Sequence, residues 1–199
     1  MMFDQALKGT PSWLDLPGAT PRELSVARWQ ADAAGGDSVL LDACTGPTLD
    51  VGCGPGRLVA ALLARNVQAL GVDVSPEAVR RTTARGGVAI RRDVFDLLPG
   101  EGRWHHMLLA DGNIGIGGDP AALLRRAHQI LRPSGTVVVE VEQPGSGLTI
   151  GQARVRTEGT KGQWFPWAWS DAESLETAGF FLLWQQERAG RWFACWERL

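Results

Sequence analysis

The 199-residue chain has no tyrosine, three histidines, three cysteines and no long run of charge of either sign. Each shortage narrows the function. Cys44, Cys53 and Cys195 are odd in number, widely spaced and without the close pairs that zinc sites favour. No metal site is expected, and a reduced, cytoplasmic setting follows. Twenty basic residues against 22 acidic ones give a net charge of −2, with no visible basic patch of the kind that binds nucleic acid by counterion release. Nucleic acid is therefore not the expected partner. No segment approaches about 18 consecutive apolar residues. Met1-Met2-Phe3-Asp4-Gln5 lacks a basic region ahead of an apolar stretch. Neither a membrane span nor an export signal is expected.

What is present is globular. Apolar residues make up 44% and charged residues 21%, and the length fits one domain with one substantial core. Nine tryptophans stand out, and Trp164, Trp167, Trp169, Trp184, Trp192 and Trp196 crowd the last 36 residues. They suit a core wall or a pocket for a flat apolar ligand.

The first 20 residues read as an irregular arm. Thr20-Pro21-Arg22-Glu23 then has the chemistry of a helix start, predicting a helix over about 21–33, and a short helix is expected around Ser38–Ala43. From residue 48 apolar runs at 48–52, 67–73, 88–92, 105–110 and 136–142 alternate with helical stretches at 56–65, 76–85 and 120–131. Such alternation predicts a parallel sheet with helices on both faces. Beyond it, strands over 152–158 and 163–169 flank a glycine turn. Ser170-Asp171-Ala172-Glu173 predicts a helix closing at Gly179, and an antiparallel hairpin over 180–198 ends the chain. The expectation is a single α/β domain over 1–199, with an N-terminal arm and helices over 1–45 and a core over 46–142. An inserted hairpin over 143–170 and a terminal helix and hairpin over 171–199 complete it.

The most informative stretch is Asp50-Val51-Gly52-Cys53-Gly54-Pro55-Gly56, where the first core strand meets its helix. Glycine is needed where backbone turns sharply or approaches a ligand, and the carboxyl edge of a parallel sheet is where such folds bind ligands. The spacing is G-x-G-x-G rather than the G-x-G-x-x-G of dinucleotide folds, which disfavours a nicotinamide-dependent oxidoreductase. Asp50 would repel phosphate but help hold an ammonium or sulfonium group. Cys53 reads as a packing residue.

The stretch resembles motif I of the class I S-adenosylmethionine-dependent methyltransferases, and the resemblance continues over about 48–142. It implies a three-layer Rossmann-like sandwich with a mostly parallel seven-stranded sheet and an antiparallel C-terminal hairpin. Asp50, Gly52, Cys53, Gly54 and Gly56 would face the cofactor. Asp73, 21 residues after Gly52 and followed by Val74, resembles the acid that bonds the ribose hydroxyls. Asp93 and Val94 resemble the adenine contacts of the third strand end, and Asp111-Gly112-Asn113 the motif beside the methionine end and substrate. The implied cofactor is S-adenosyl-L-methionine, leaving S-adenosyl-L-homocysteine as product.

The motifs of DNA amino-methyltransferases and cytosine enzymes are absent from Asp111-Gly112-Asn113-Ile114, so a small-molecule acceptor is expected. In-line displacement draws mainly on proximity and alignment. His105 and His106 enter the fourth core strand, roughly 17–20 Å from its exit, and His128 lies in a helix running away from the ligand edge. Asp111 or Glu142 is better placed as a base, or each simply orients the cofactor or caps a loop. Arg154, Arg156, Trp164 and Trp167 are expected to form the acceptor-side wall, the arginines meeting an acidic group of the acceptor; packing on the sheet edge or on a second subunit is the competing reading for the tryptophans. A non-catalytic S-adenosylmethionine-binding or partner-binding protein on the same fold is the alternative, and monomer and homodimer both stay open.

Overall fold

The computed structural model describes residues 3–199. The chain opens with helix α1 (Asp4–Leu7), strands β1 (Trp13–Asp15) and β2 (Arg22–Glu23), and helices α2 (Val26–Gln30) and α3 (Asp37–Ala43). The alternating core follows: β3 (Thr48–Val51), α4 (Arg57–Ala64), β4 (Ala69–Asp73), α5 (Pro76–Ala84), β5 (Ala89–Arg91) and β6 (Trp104–Leu109). After 3-10 turns over Asn113–Gly118 come α6 (Pro120–Ile130), β7 (Leu131–Val141), β8 (Leu148–Arg156), β9 (Phe165–Ser170), β10 (Phe180–Arg188) and β11 (Arg191–Arg198).

The starts of α5 and α6 carry the signals that set them. Ser75 accepts from the N–H groups of Glu77 and Ala78 ahead of Pro76, and Asp119 accepts from Ala122 ahead of Pro120. The main sheet has seven strands in the order β10-β11-β7-β6-β3-β4-β5. Strands β3 to β7 pair in parallel, and β11 lies antiparallel to both β7 and β10. One face packs on α3 and α4 through Leu40, Leu58 and Leu62, the other on α6 through Leu123, Ala127 and Ile130. This is the Rossmann-like three-layer arrangement. The order reverses between β3 and β6, so the crevice where open parallel sheets take ligands lies beyond Val51 and Leu109.

Four expectations fail. Arg22 and Glu23, read as the first turn of a helix over 21–33, are instead extended as β2 against Leu14 and Trp13, and only Val26–Gln30 is helical. Pairing with β1 outweighs the local capping signal. The N-terminal arm is correspondingly not irregular. The helix expected at 171–179 is absent: Asp171 caps a turn, accepting from the N–H groups of Ser174 and, across the chain, Gly147. The hairpin of β8 and β9 is also more than an insertion, because β1 and β2 extend it to a second sheet, order β2-β1-β8-β9. Its inner side places Leu14, Val155, Phe165, Trp167 and Trp169 in a third apolar cluster. No helix among the described residues is long and apolar enough to cross a membrane.

Candidate functional site

The glycine loop leaves β3 with all three glycines in left-handed conformations, φ +70° at Gly52, +53° at Gly54 and +79° at Gly56. A side chain is strained there on backbone grounds alone. Space decides the rest. A Cβ on Gly52 would lie 2.5 Å from Asn113 Nδ2 and one on Gly56 2.6 Å from the Thr82 side chain, whereas Gly54 has only Leu7 within ordinary contact at 3.6 Å. Asn113 fills the space above Gly52 and donates to the carbonyls of Val51 (2.9 Å) and Gly52 (3.0 Å). Burial, with the carboxylates of Asp50 and Asp73 adding to it, pushes the Cys53 thiol well above its usual range against the nearby Thr82 hydroxyl, which fits a packing role.

Asp73 ends β4 beside this loop. Its carboxylate accepts from the backbone N–H of Gly54 (3.0 Å) and of Ser75 (2.8 Å). Burial and the neighbouring Asp4 raise its pKa against those hydrogen bonds, and Ser75 Oγ donates to Asp4 at 2.7 Å. Helix α1 thus lies over the loop, with Leu7 facing Gly54 and Asp4 beside Ser75. Val74 is partly exposed, and Asp93 is exposed and accepts from the Phe95 N–H at 3.0 Å. Val94 is buried, its carbonyl held by the guanidinium of Arg126 at 2.8 Å.

Asp50 is 2% exposed, and its Oδ2 has no hydrogen-bond partner among the described residues. Burial raises its pKa to about 7; the Arg57 cation opposes this, while the carboxylates of Asp111, Asp73 and Asp37 add to it. A buried acceptor left unpaired in a negative field is a place for a cationic donor.

Asp111 sits in the left-handed region, φ +54°, just past β6, and is tied down. Arg57 donates to it at 2.6 Å and Arg28 at 2.9 Å. Arg57 also bonds Asp37 at 2.9 and 3.0 Å, and Arg191 joins Asp37 (2.7 Å) to Glu140 (2.8 and 2.6 Å). The N–H of Asp111 closes the network on Glu140 at 2.6 Å. Burial alone would raise the Asp37 carboxyl, but hydrogen bonds and charge from Arg57 and Arg191 hold it at about 2. Glu142, one residue past β7, pairs with Arg22 at 2.6 Å. It lines a small cleft of about 60 Å³ with Gly112, Glu140, Trp169 and Ser170.

The structure therefore brings Asp50, Gly52, Cys53, Gly54, Gly56, Asp73, Asp111 and Asn113 to one edge, with Glu142 on its β7 side. Arg154 and Arg156 do not face it with free charge. Both bond Asp15, at 3.1 and 2.9 Å, and their guanidiniums stack on Trp164 (4.5 Å) and Trp13 (4.9 Å). Their acidic partner is within the chain, which corrects the expectation that an acceptor supplies it. Trp164 is half exposed, while Trp167 is buried in a cluster of edges with Phe3 and Phe165. His105 and His106 sit at the opposite end of β6, where His106 pairs in register with Thr48, the first residue of β3. Sequence reasoning missed Arg28, Arg57, Glu140 and Arg191. Arginines scattered over 163 residues carry no spacing signal, but Arg57 directly after the third glycine was a charge pointed at the loop. A second cleft of about 460 Å³, lined by Gln30, Pro55, Arg80, Arg81 and Arg85, opens on the α5 side of the loop. Its cations are bonded to Glu77, Gln30 and the Ala31 carbonyl.

Residues 48–135 match the model of a family described as a methyltransferase domain. The whole chain is similar in fold to a crystal structure of an S-adenosylmethionine-dependent methyltransferase from Bacteroides fragilis in complex with S-adenosylhomocysteine. The TM-score is 0.77 at 20% identity, covering 99% of this chain and 92% of that one. A glycopeptide N-methyltransferase complexed with S-adenosylmethionine matches at TM-score 0.64 and 13% identity, over 92% of this chain and 100% of that one. The 1,6-didemethyltoxoflavin N1-methyltransferase of Burkholderia thailandensis, with its substrate and S-adenosylhomocysteine bound, matches at 0.59 and 19%, over 81% and 76%. In sequence the chain is 30% identical over 164 residues to an uncharacterized 37.1 kDa protein in transposon Tn4556 of Streptomyces fradiae. The match takes in 75% of this chain and spans less than half, 43%, of that relative's length.

Proposed function

We propose that the protein is an S-adenosylmethionine-dependent methyltransferase acting on a small-molecule acceptor. The observation that carries this reading is the unpaired, buried Asp50 Oδ2 beneath a left-handed glycine loop with the Asp73 carboxylate alongside. The residues fit the cofactor: Gly54 leaves room for close backbone approach, Asp73 offers oxygens for two ribose hydroxyls, and Asp50 meets an ammonium. Val74, Asp93 and Val94 border the adenine end. When bound, the cofactor supplies a methyl group on a positively charged sulfur.

The chain's own work is then positional. Asn113 fixes the loop through two carbonyls, and the arginine network fixes Asp111 at the strand exit. Both oxygens of Asp111 are taken by guanidiniums, Oδ1 by Arg28 and Oδ2 by Arg57, so Asp111 holds shape and field at the strand exit. Glu142, paired with one exposed arginine, is held by a single partner and lines the cleft on the β7 side of the edge. Alignment supplies most of the rate in such a displacement. Neighbours in fold named for 1,6-didemethyltoxoflavin and glycopeptide methylation support a small-molecule acceptor.

Calorimetry with S-adenosylhomocysteine beside NAD tests the cofactor: selective binding of the first is expected, and binding of NAD alone would overturn the reading. A product screen with labelled S-adenosylmethionine then separates an enzyme from a non-catalytic binder.

A further inference from the structure

The small cleft between the ends of β7 and β9 has two carboxylates in unlike situations. Glu140 is neutralised by Arg191 and receives the Asp111 N–H. Glu142 meets Arg22, whose side chain is 50% exposed against 35% for the glutamate. The same guanidinium lies 5.3 Å from the centroid of the Trp169 ring, which lines the cleft. A planar cation is thus already seated between a carboxylate and an indole at the mouth of a cleft that reaches Gly112. Its hold is slight. An ion pair this exposed contributes little to stability, and β2 is a two-residue edge strand paired on one side only.

We infer that Glu142 and Trp169 form a cation-recognition subsite, and that the acceptor carries an ammonium or guanidinium group that replaces Arg22 there. This rests on the methyltransferase reading of the neighbouring edge. Aromatic faces and carboxylates attract cations most strongly once water is excluded, and a bound molecule excludes water where the exposed Arg22 does not. An anionic group at this place would face the Glu142 carboxylate and the electron-rich face of Trp169. The cation is the handle of the acceptor, not its methyl-accepting atom: seated at Glu142, it directs the rest of the molecule along Gly112 toward Asn113 and the glycine loop.

The test is calorimetry on the full chain with phenethylammonium and phenylacetate as probes, each titrated with and without S-adenosylhomocysteine. Phenethylammonium is expected to bind at least tenfold more tightly than phenylacetate. Arg22→Ala should tighten it about three- to tenfold, and Glu142→Gln and Trp169→Leu should each weaken it about tenfold. Trp169→Phe, which keeps an aromatic face, should retain most of the affinity and serves if the leucine variant unfolds. Equal binding of phenylacetate, or no gain in Arg22→Ala, overturns the subsite. Absent S-adenosylhomocysteine binding sinks the cofactor reading instead, and the ammonium titrations without it still decide the subsite.

Discussion

The backbone N–H of Gly54 donates to the carboxylate of Asp73 at 3.0 Å, so the glycine loop after β3 and the end of β4 are joined directly. The other carboxylate oxygen takes the Ser75 N–H at 2.8 Å. One side chain therefore shapes both halves of the candidate cofactor site before any ligand arrives.

Asp73→Ala should accordingly lose two things. Affinity for S-adenosylhomocysteine should fall about ten- to a hundredfold, because charged hydrogen bonds to hydroxyls are worth roughly 1.5–3 kcal/mol. Two backbone donors also lose their acceptor, lowering stability by about 1–3 kcal/mol. Calorimetry and a thermal melt measure the pair, and unchanged affinity would remove Asp73 from the site.

Gly56→Ala and Gly54→Ala should differ. Both require a left-handed alanine, at about 1–2 kcal/mol, but only at Gly56 does the new Cβ meet a packed side chain, that of Thr82. The Gly56 variant is expected to melt several degrees lower than the Gly54 variant. Gly54→Val should melt lower, because a β-branched residue is strained at φ +53°, and its folded fraction should lose cofactor binding, which a simple tight turn would not do.

Asp50 gives a pH signature. Its pKa is raised to about 7 in the fold, above the usual carboxylate value of 3.8, so the folded state holds a proton that the unfolded state has released. Stability from this group is full below pH 4 and is lost as pH rises to about 7. His106 acts oppositely, its pKa pushed down to about 4 by burial with His105 and Arg132 adding to it, so its contribution is lost as pH falls from 6.5 to 4. The two slopes offset in the wild type. Asp50→Asn should expose the His106 slope, its stability rising relative to wild type between pH 4 and 7 in denaturant titrations. A cationic ligand at Asp50 should release a proton near pH 6, read as a buffer-dependent binding enthalpy that the variant lacks.

Arg57→Met removes a 5%-exposed cation shared by Asp37 and Asp111. Breaking a buried pair from one side costs about 3–5 kcal/mol, so a large drop in melting temperature is expected. A change under 1 kcal/mol would show that Arg191 and Arg28 suffice.

Trp167→Ala should act as a core mutation. Trp167 is 9% exposed, and its ring blocks any side chain at Gly115. A loss of about 3–5 kcal/mol is expected. His105→Gln should leave cofactor affinity within about threefold.

Where regular alternation governed, the sequence was readable: β3 to β6 and the helices between them fall within two residues of their expected bounds, because apolar period and proline-capped starts agree there. It misled where a local signal met a distant partner. Thr20-Pro21-Arg22-Glu23 carries a capping box, yet Arg22 finds Glu142 and Trp169, 120 or more residues away. Ser170-Asp171 caps a turn, but one oxygen of Asp171 is taken by Gly147. At the site, the glycines and Asp73 were visible because backbone shape dictates them. Arg28, Arg57 and Arg191 were not, since only the folded sheet brings charges from α2, α4 and β11 to a common point.

The second sheet has a consequence in time. Asp15 bonds Arg156, 141 residues later, and β1 has β8 as its neighbour on that side. At about 5–20 residues per second, β1 leaves the ribosome roughly 7–30 s before its partner exists. The glycine loop and Asp73 are synthesised within that interval. A nascent chain can thus complete its cofactor cradle while Trp13 and Leu14 still lack their sheet, and those two residues are the stretch a chaperone would be expected to shield.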